Sequence, residues 1–295
     1  MQPVEFVLSP LVAFFVGVFF LGFSRKLTAR IQRRYGPPLY QPVIDVVKLF
    51  AQRSISHGVL FEVGVVVSLV GSVITVMFIP LGRICPLCSS GGLLVVMYLM
   101  LFGPLGLALG AGESANPNAS IGVSRKMLLA LAYEVPFLLV ILSVMCHYGT
   151  ISLAEIVAQQ QAGRWGLLSL PLALSALAAF LILPAMLGIR PFDLVSAPQE
   201  IASGPLVEYG GKYLALIAIQ GAFHSFIVIS LFVDFFLGGA TNVGTFLLKV
   251  TVVFTAGVLI NAVLPRVKVE EAIRFCWKWP AALALLSLAL SAVLG

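Results

Sequence analysis

Largely apolar stretches of about 20 residues, long enough as helices to cross a hydrocarbon core of roughly 30 Å, recur along this chain. Eight can be counted, near 4–23, 62–81, 91–110, 126–146, 167–188, 213–237, 243–265 and 278–294. A bilayer gives backbone amides no water to bond, so only helices and closed barrels can span it. These runs are continuous and lack the alternation of a barrel strand, so helices are expected. With 60% hydrophobic and 10% charged residues in 295, there is too little polar surface to clothe a soluble domain of this size. The fold class expected is therefore all-α and integral to the membrane: one polytopic domain over 1–295 with about eight transmembrane helices.

The basic residues orient it. Loops after odd-numbered spans hold 15 of the 18 Lys and Arg, loops after even-numbered spans hold Arg83 and Arg164, and Lys249 lies inside a span. Positive charge is retained on the cytoplasmic side, so both termini are expected outside and the long loops 24–60 and 189–212 inside, in a multi-pass protein of the cell's inner membrane. The net charge of +6 then reports topology and does not imply nucleic-acid binding. Met1 to Glu5 carry no basic n-region, so the first span reads as an uncleaved helix and not a signal peptide.

Four cysteines make no disulfide framework: Cys85 and Cys88 in an outer loop, Cys146 at the outer end of the fourth span, and Cys276 near the inner face. The Cys85-Pro-Leu-Cys88 pair reads as a thiol pair or disulfide, and adjacent Cys146 and His147 make a poor metal site. No metal is expected on this chain.

Ionisable residues inside spans are costly and usually line a polar path. Glu134, His224 and Lys249 qualify, with Asp234 a further candidate. Glu134 lies eight residues beyond Lys126, roughly 12 Å along a helix, where it could relay protons or sit neutral against a neighbouring helix. Lys249 could be a relay or counter-ion, or could snorkel to the interface. His224 reads as a packed, hydrogen-bonded histidine, and Asp234 as solvated near the outer interface.

The inner loops carry the remaining polar signal. The first runs Arg33-Arg34-Tyr35-Gly36-Pro37-Pro38-Leu39-Tyr40-Gln41-Pro42-Val43-Ile44-Asp45, then Lys48-Leu49, a Gly-Pro-Pro turn followed by a short amphipathic segment that reads as an interfacial helix. The second gathers Arg190, Pro191-Phe192-Asp193, Glu200, Gly204, Glu208-Tyr209 and Lys212 into a short connection. Pro198 argues against a regular helix joining Asp193 to Glu200, and the plain alternative is an acidic surface loop paired with Arg190 and Lys212.

Together these loops resemble the membrane subunit of respiratory complex I known as NADH dehydrogenase subunit 1, and its relatives in energy-converting [NiFe] hydrogenases. The first loop matches at Gly36-Pro37, Gln41-Pro42, Asp45 and Lys48-Leu49, and the second at Pro191-Phe192-Asp193, Glu200, Gly204 and Glu208-Tyr209. Quinone-reducing members usually carry Glu and Arg where this chain has Met186 and Ile189, and two further Glu where it has Ser196 and Pro198. The segment from Gly112-Glu113 to Lys126, followed by Glu134, is more similar to the hydrogenase branch. That resemblance implies a coupling subunit that binds no cofactor itself. A [NiFe] centre and iron–sulfur clusters are expected in partners: hydrogenase large and small subunits, an iron–sulfur subunit and an antiporter-like membrane subunit. It also implies roles for Asp193, Glu200 and Glu208 at the docking face, with Glu113 and Glu134 passing protons inward. The alternatives are a quinone-site subunit, a passive anchor and a stand-alone ion carrier.

Overall fold

In the computed structural model, residues 3–82, 84–87, 92–114, 116–163 and 165–294 are described. Arg83, Cys88 and Arg164 therefore lie outside the described residues. The described chain is helical, broken only by turns and an isolated bridge between Leu81 and Ile84. Among the described residues eight helical spans are long and apolar enough to cross a membrane, the number expected.

The first span is longer than its apolar run. Helix α1 (Pro3–Ile31) carries on through Arg25, Lys26 and Arg30, because long basic side chains tolerate a helix that leaves the hydrocarbon. An interfacial helix, α2 (Gln41–Ala51), follows; it starts with Pro42 near its N-terminus and exposes Val43, Ile44, Val47 and Phe50 along one face. Helix α3 (Val59–Met77) is the second span, and α4 (Leu93–Met100) and α5 (Phe102–Glu113) form the third, interrupted at Leu101.

Helices α3 and α5 pack through small residues. A Cβ on Gly64 would lie 2.5 Å from the Gly106 carbonyl oxygen, and one on Gly106 would lie 2.3 Å from that of Gly64. Lipid tails are as apolar as leucine, so close backbone approach supplies the contact that burial cannot. Ser68 Oγ adds a hydrogen bond to the Gly103 carbonyl at 3.2 Å.

The fourth span is α6 (Pro117–Tyr148), capped by Asn116, whose side chain accepts from Asn118 N at 2.9 Å. A short helix α7 (Leu153–Ala162) precedes the fifth span, α8 (Leu170–Leu187). After the one-turn α9 (Pro198–Ile201) come α10 (Gly211–Phe236) and α11 (Val243–Val263), the sixth and seventh spans. Helices α12 (Val269–Lys278) and α13 (Pro280–Leu294) make the eighth, broken before Pro280. One face of the bundle gathers 32–58, the α5–α6 turn, the 188–210 connection and the α11–α12 turn.

Helix α10 is the centre, in contact with α1, α2, α3, α7, α8 and α11. Helices α6, α8 and α13 meet instead at three buried serines. Ser287 Oγ donates to the Pro171 carbonyl at 2.6 Å, so it accepts from Ser143 and Ser175, each at 2.7 Å. Ser287→Ala removes one donor and one shared acceptor. It is expected to lower the unfolding free energy of the purified chain by about 1–2 kcal/mol in a denaturant titration in detergent.

Candidate functional site on the loop-bearing face

The connection after α8 is pinned before its acids appear. Gly188 ends α8 in a left-handed conformation, and Arg190 N donates to Asn261 Oδ1 at 3.1 Å. The Pro191 carbonyl accepts from Val267 N at 3.1 Å across the α11–α12 turn. Phe192 is buried against Phe275, ring centroids 5.7 Å apart, in a small cluster with Leu129 and Ala272. Further on, Gly204 has φ +56°, and a Cβ there would stand 2.5 Å from the Val195 carbonyl oxygen, so this tight return requires glycine. The first turns of α6 project past the end of α8 and pack on the 204–207 turn, where Gly122 meets Pro205.

This framework delivers three acids to polar partners, all but one of them from other elements. Asp193 accepts from Ser196 Oγ at 2.5 Å and from Arg266 Nη2 at 3.0 Å. Glu200 accepts from Arg125 Nη1 at 2.7 Å, with Arg266 Nη1 at 3.9 Å from its other oxygen. Arg266 therefore stands between two carboxylates. Glu208 accepts from Asn116 Nδ2 at 2.6 Å, and its other oxygen is 3.1 Å from His57 Nε2. Arg190 is exposed and Lys212 lies over the Tyr213 ring at 4.9 Å, so in place of the plain alternative, local pairing with these two, Asp193 and Glu200 take arginine partners more than 70 residues away. The Arg125 hydrogen bond, opposed by slight desolvation, holds the Glu200 carboxyl below the usual range, with the charges of Arg125 and Arg266 adding to it.

Beside this cluster, Tyr209 stacks on Phe61 with centroids 4.7 Å apart, and burial pushes its phenol up to about 12. Tyr213 donates to Glu62. Glu113 ends α5 and accepts from Phe61 N at 2.5 Å, capping the start of α3 where free backbone donors favour an anion.

In the first loop, Gly36 folds against Lys26 and Ala29 of α1, Pro37 is half-buried, and Pro42 is buried. Asp45 is a clamp: Gln41 Nε2 donates to it at 3.0 Å and Arg25 Nη1 at 2.9 Å, tying α2 to α1. Those bonds, Gln41's first, hold its carboxyl below the usual range. Arg33, Arg34 and Lys48 are exposed and project from this face.

Inward of the loop lies a cavity of about 140 Å³, lined by Lys126, Tyr133, Gln220, His224 and Ser225 among others. Tyr133, Met186 and His224 also border a second void of about 20 Å³ that reaches Glu134. His224 Nε2 is 2.9 Å from the Met186 carbonyl oxygen, a packed histidine as expected. Sequence reasoning missed Arg266, Arg125 and Lys126 as site residues, seeing in them only topological charge.

Lys249 is far from this face. Its ammonium donates to the carbonyls of Leu237 and Gly239 at 2.6 and 2.7 Å. Asp234, expected to be solvated, is instead fully buried beneath that turn, because the chain folds back over the end of α10. Cys146 and Cys276 are free thiols, and Cys85 is disulfide-bonded.

The sequence profile described as NADH dehydrogenase matches residues 4–292. The chain belongs to this NADH dehydrogenase family of membrane subunits. It is 31% identical to hydrogenase-4 component C of Escherichia coli (strain K12), over 74% of this chain and 70% of that one. It is 27% identical to a subunit of the F(420)H(2) dehydrogenase of Methanosarcina mazei, covering 95% and 91%. Its fold overlays a chain of the membrane-bound sulfane sulfur reductase, an archaeal respiratory membrane complex, with a TM-score of 0.95, 39% identity and 98% of each chain covered. The family supplies membrane subunits of multisubunit respiratory complexes, so its partners are other complex subunits.

Arg266→Met should strip Asp193 of its cation and loosen the connection by about 2 kcal/mol. Limited proteolysis within 189–212 is the measure, and cleavage at least tenfold faster is expected, since about 1.4 kcal/mol corresponds to a factor of ten. Acid should act in the same direction on the wild type. The carboxyls of Glu200 and Asp45 are depressed, so their contributions are present above the ordinary carboxylate range and are lost as pH falls below about 4.

Proposed function

We propose that this subunit couples and anchors an energy-converting [NiFe] hydrogenase, linking electron flow from a low-potential donor such as ferredoxin to proton reduction and ion translocation. The observation that carries the coupling role is the charged cluster of Asp193, Glu200, Arg125 and Arg266, set on the same connection as Val195, which lines the Lys126 and His224 cavity; that cavity shares Tyr133, Met186 and His224 with the void beside Glu134. The hydrogenase assignment draws support from the likeness to hydrogenase-4 component C. We assign the [NiFe] centre and the iron–sulfur clusters to partner subunits. Among the described residues no three of His, Cys, Asp or Glu stand together as a ligand set.

In this reading a redox change in the docked subunits alters the charge facing the 189–212 loop. Arg266 redistributes between Asp193 and Glu200, and Glu208 with His57 and Asn116 holds the flank of the loop. Protons then pass along the Lys126, His224 and Tyr133 cavity to Glu134. Glu113 serves this path by fixing the start of α3.

A second reading, reduction of sulfane sulfur by the same architecture, is favoured by the 39% identity over nearly the whole length of the reductase chain. A quinone site has less support, because Met186, Ile189, Ser196 and Pro198 replace acids and an arginine. A cavity of about 360 Å³ between α1, α2 and α10, with Arg25 and Asp45 at its edge, is the place where such a ligand would be sought.

Purification of the intact complex through a tag on this chain decides among these. Nickel, iron and hydrogen evolution are expected; iron without nickel, together with polysulfide reduction, would establish the second reading. Flavin and quinone reduction would overturn both. In the purified complex in liposomes, Glu134→Gln should keep the reductive activity and lose at least tenfold in ion translocation. Full translocation by that variant would remove Glu134 from the path.

A further inference from the structure

At the face opposite the docking loops, Asp234 is 0% exposed near the end of α10, and both of its carboxyl oxygens lack a hydrogen-bond partner. The turn that follows covers it. Gly239 has φ +50°, and a Cβ there would lie 3.0 Å from Asp234 Oδ1 and 2.8 Å from Val157 Cγ1, so no larger residue fits between the turn and the acid. From the far side Gln160 holds the end of α10, its Nε2 donating to the carbonyls of Asp234 and Phe235 at 2.8 and 3.1 Å.

One cation is at hand. Among the described residues, Lys249 on α11 is the charged group that bears on Asp234. Yet its ammonium bonds the carbonyls of Leu237 and Gly239, on the turn itself, and lies 4.7 Å from the centroid of the Trp165 ring. An ionised carboxylate with no donor, beside an ammonium spent on neutral carbonyls, is the costlier of the two protonation states. A neutral acid fits the same geometry without an isolated charge.

We propose that Asp234 is a proton-binding site at this face and that Lys249 reports its occupancy. While Asp234 holds its proton, the ammonium stays on the Leu237 and Gly239 carbonyls. When the proton leaves for water at this face, the carboxylate draws the ammonium off those carbonyls and releases the Gly238-Gly239 turn. The site is separate from the Glu134 path and does not depend on the terminal electron acceptor.

The chain has three aspartates, and the other two, Asp45 and Asp193, are paired with Arg25 and Arg266. The full-length chain labelled with ¹³Cγ-aspartate in lipid nanodiscs should therefore show, at neutral pH, two carboxylate resonances and one carboxylic-acid resonance in solid-state NMR. The acid resonance should vanish in Asp234→Asn. In Lys249→Met, which removes the cation that favours the ionised form, it should persist to a pH higher by about one unit or more. Three carboxylates in the wild-type chain would overturn the proton site, an outcome that needs no variant to fold. An unchanged titration in Lys249→Met would overturn the coupling to Lys249.

Discussion

Hydrocarbon offers no solvent to a charge, and the placing of polar groups in this chain follows from that constraint. At the loop-bearing face, where water reaches, the acids are matched to arginines, to a backbone amide or to neighbouring polar side chains. In the interior, polar side chains gather at cavities, as Lys126, Gln220 and His224 do, or satisfy one another, as the three serines between α6, α8 and α13 do. At the opposite face a carboxyl is sealed from both water and protein donors. The bundle thus carries ionisable groups at both ends, separated by mainly apolar packing around α10.

The proposed coupling role asks one short connection to act as both anchor and sensor. Its backbone is pinned by Asn261, by Val267 and by the Phe192 cluster, in which Ala272 and Phe275 also follow it in sequence. Its acids are held by side chains from α6 and from the α11–α12 turn. A disturbance of the loop is therefore felt by three spans at once. A passive anchor would need the pinned backbone but not the shared arginine, and the two features together favour the coupling role.

Much of this was legible in the sequence, and the boundary is physical. Hydropathy is local, so eight spans could be counted and the two informative loops set apart from the pattern alone. Amphipathic spacing likewise announced α2. Pairing was not legible, because Asp193 and Arg266 are 73 residues apart and meet only once α8, α11 and α12 have packed. Arg125 and Lys126 could be seen only as topological charge until the start of α6 was placed beyond the end of α8. Asp234 was misjudged for a related reason. Counting residues put it near an interface, but a turn with glycines at positive φ folds back over the helix end and removes it from water.

The burial of Arg266 also bears on how such a cluster can transmit a signal. Fully exposed ion pairs contribute little, and fully buried ones cost so much to break that they seldom change state. Arg266 is 19% exposed, Asp193 24% and Glu200 51%, so the arginine sits at the edge of solvent between one sheltered and one open carboxylate. Its Nε is buried without a partner, and Asp193 and Glu200 are approached through different guanidinium nitrogens, one at hydrogen-bond distance and one not. Adding or removing one charge near Glu200 shifts the balance between two already available pairings without breaking a buried pair outright. A coupling element needs two states separated by a small free-energy gap that an outside event can bias. Under the proposed coupling role, a guanidinium shared unequally by two acids, on a loop whose Val195 lines the Lys126 and His224 cavity, would supply such a pair of states at the loop-bearing face.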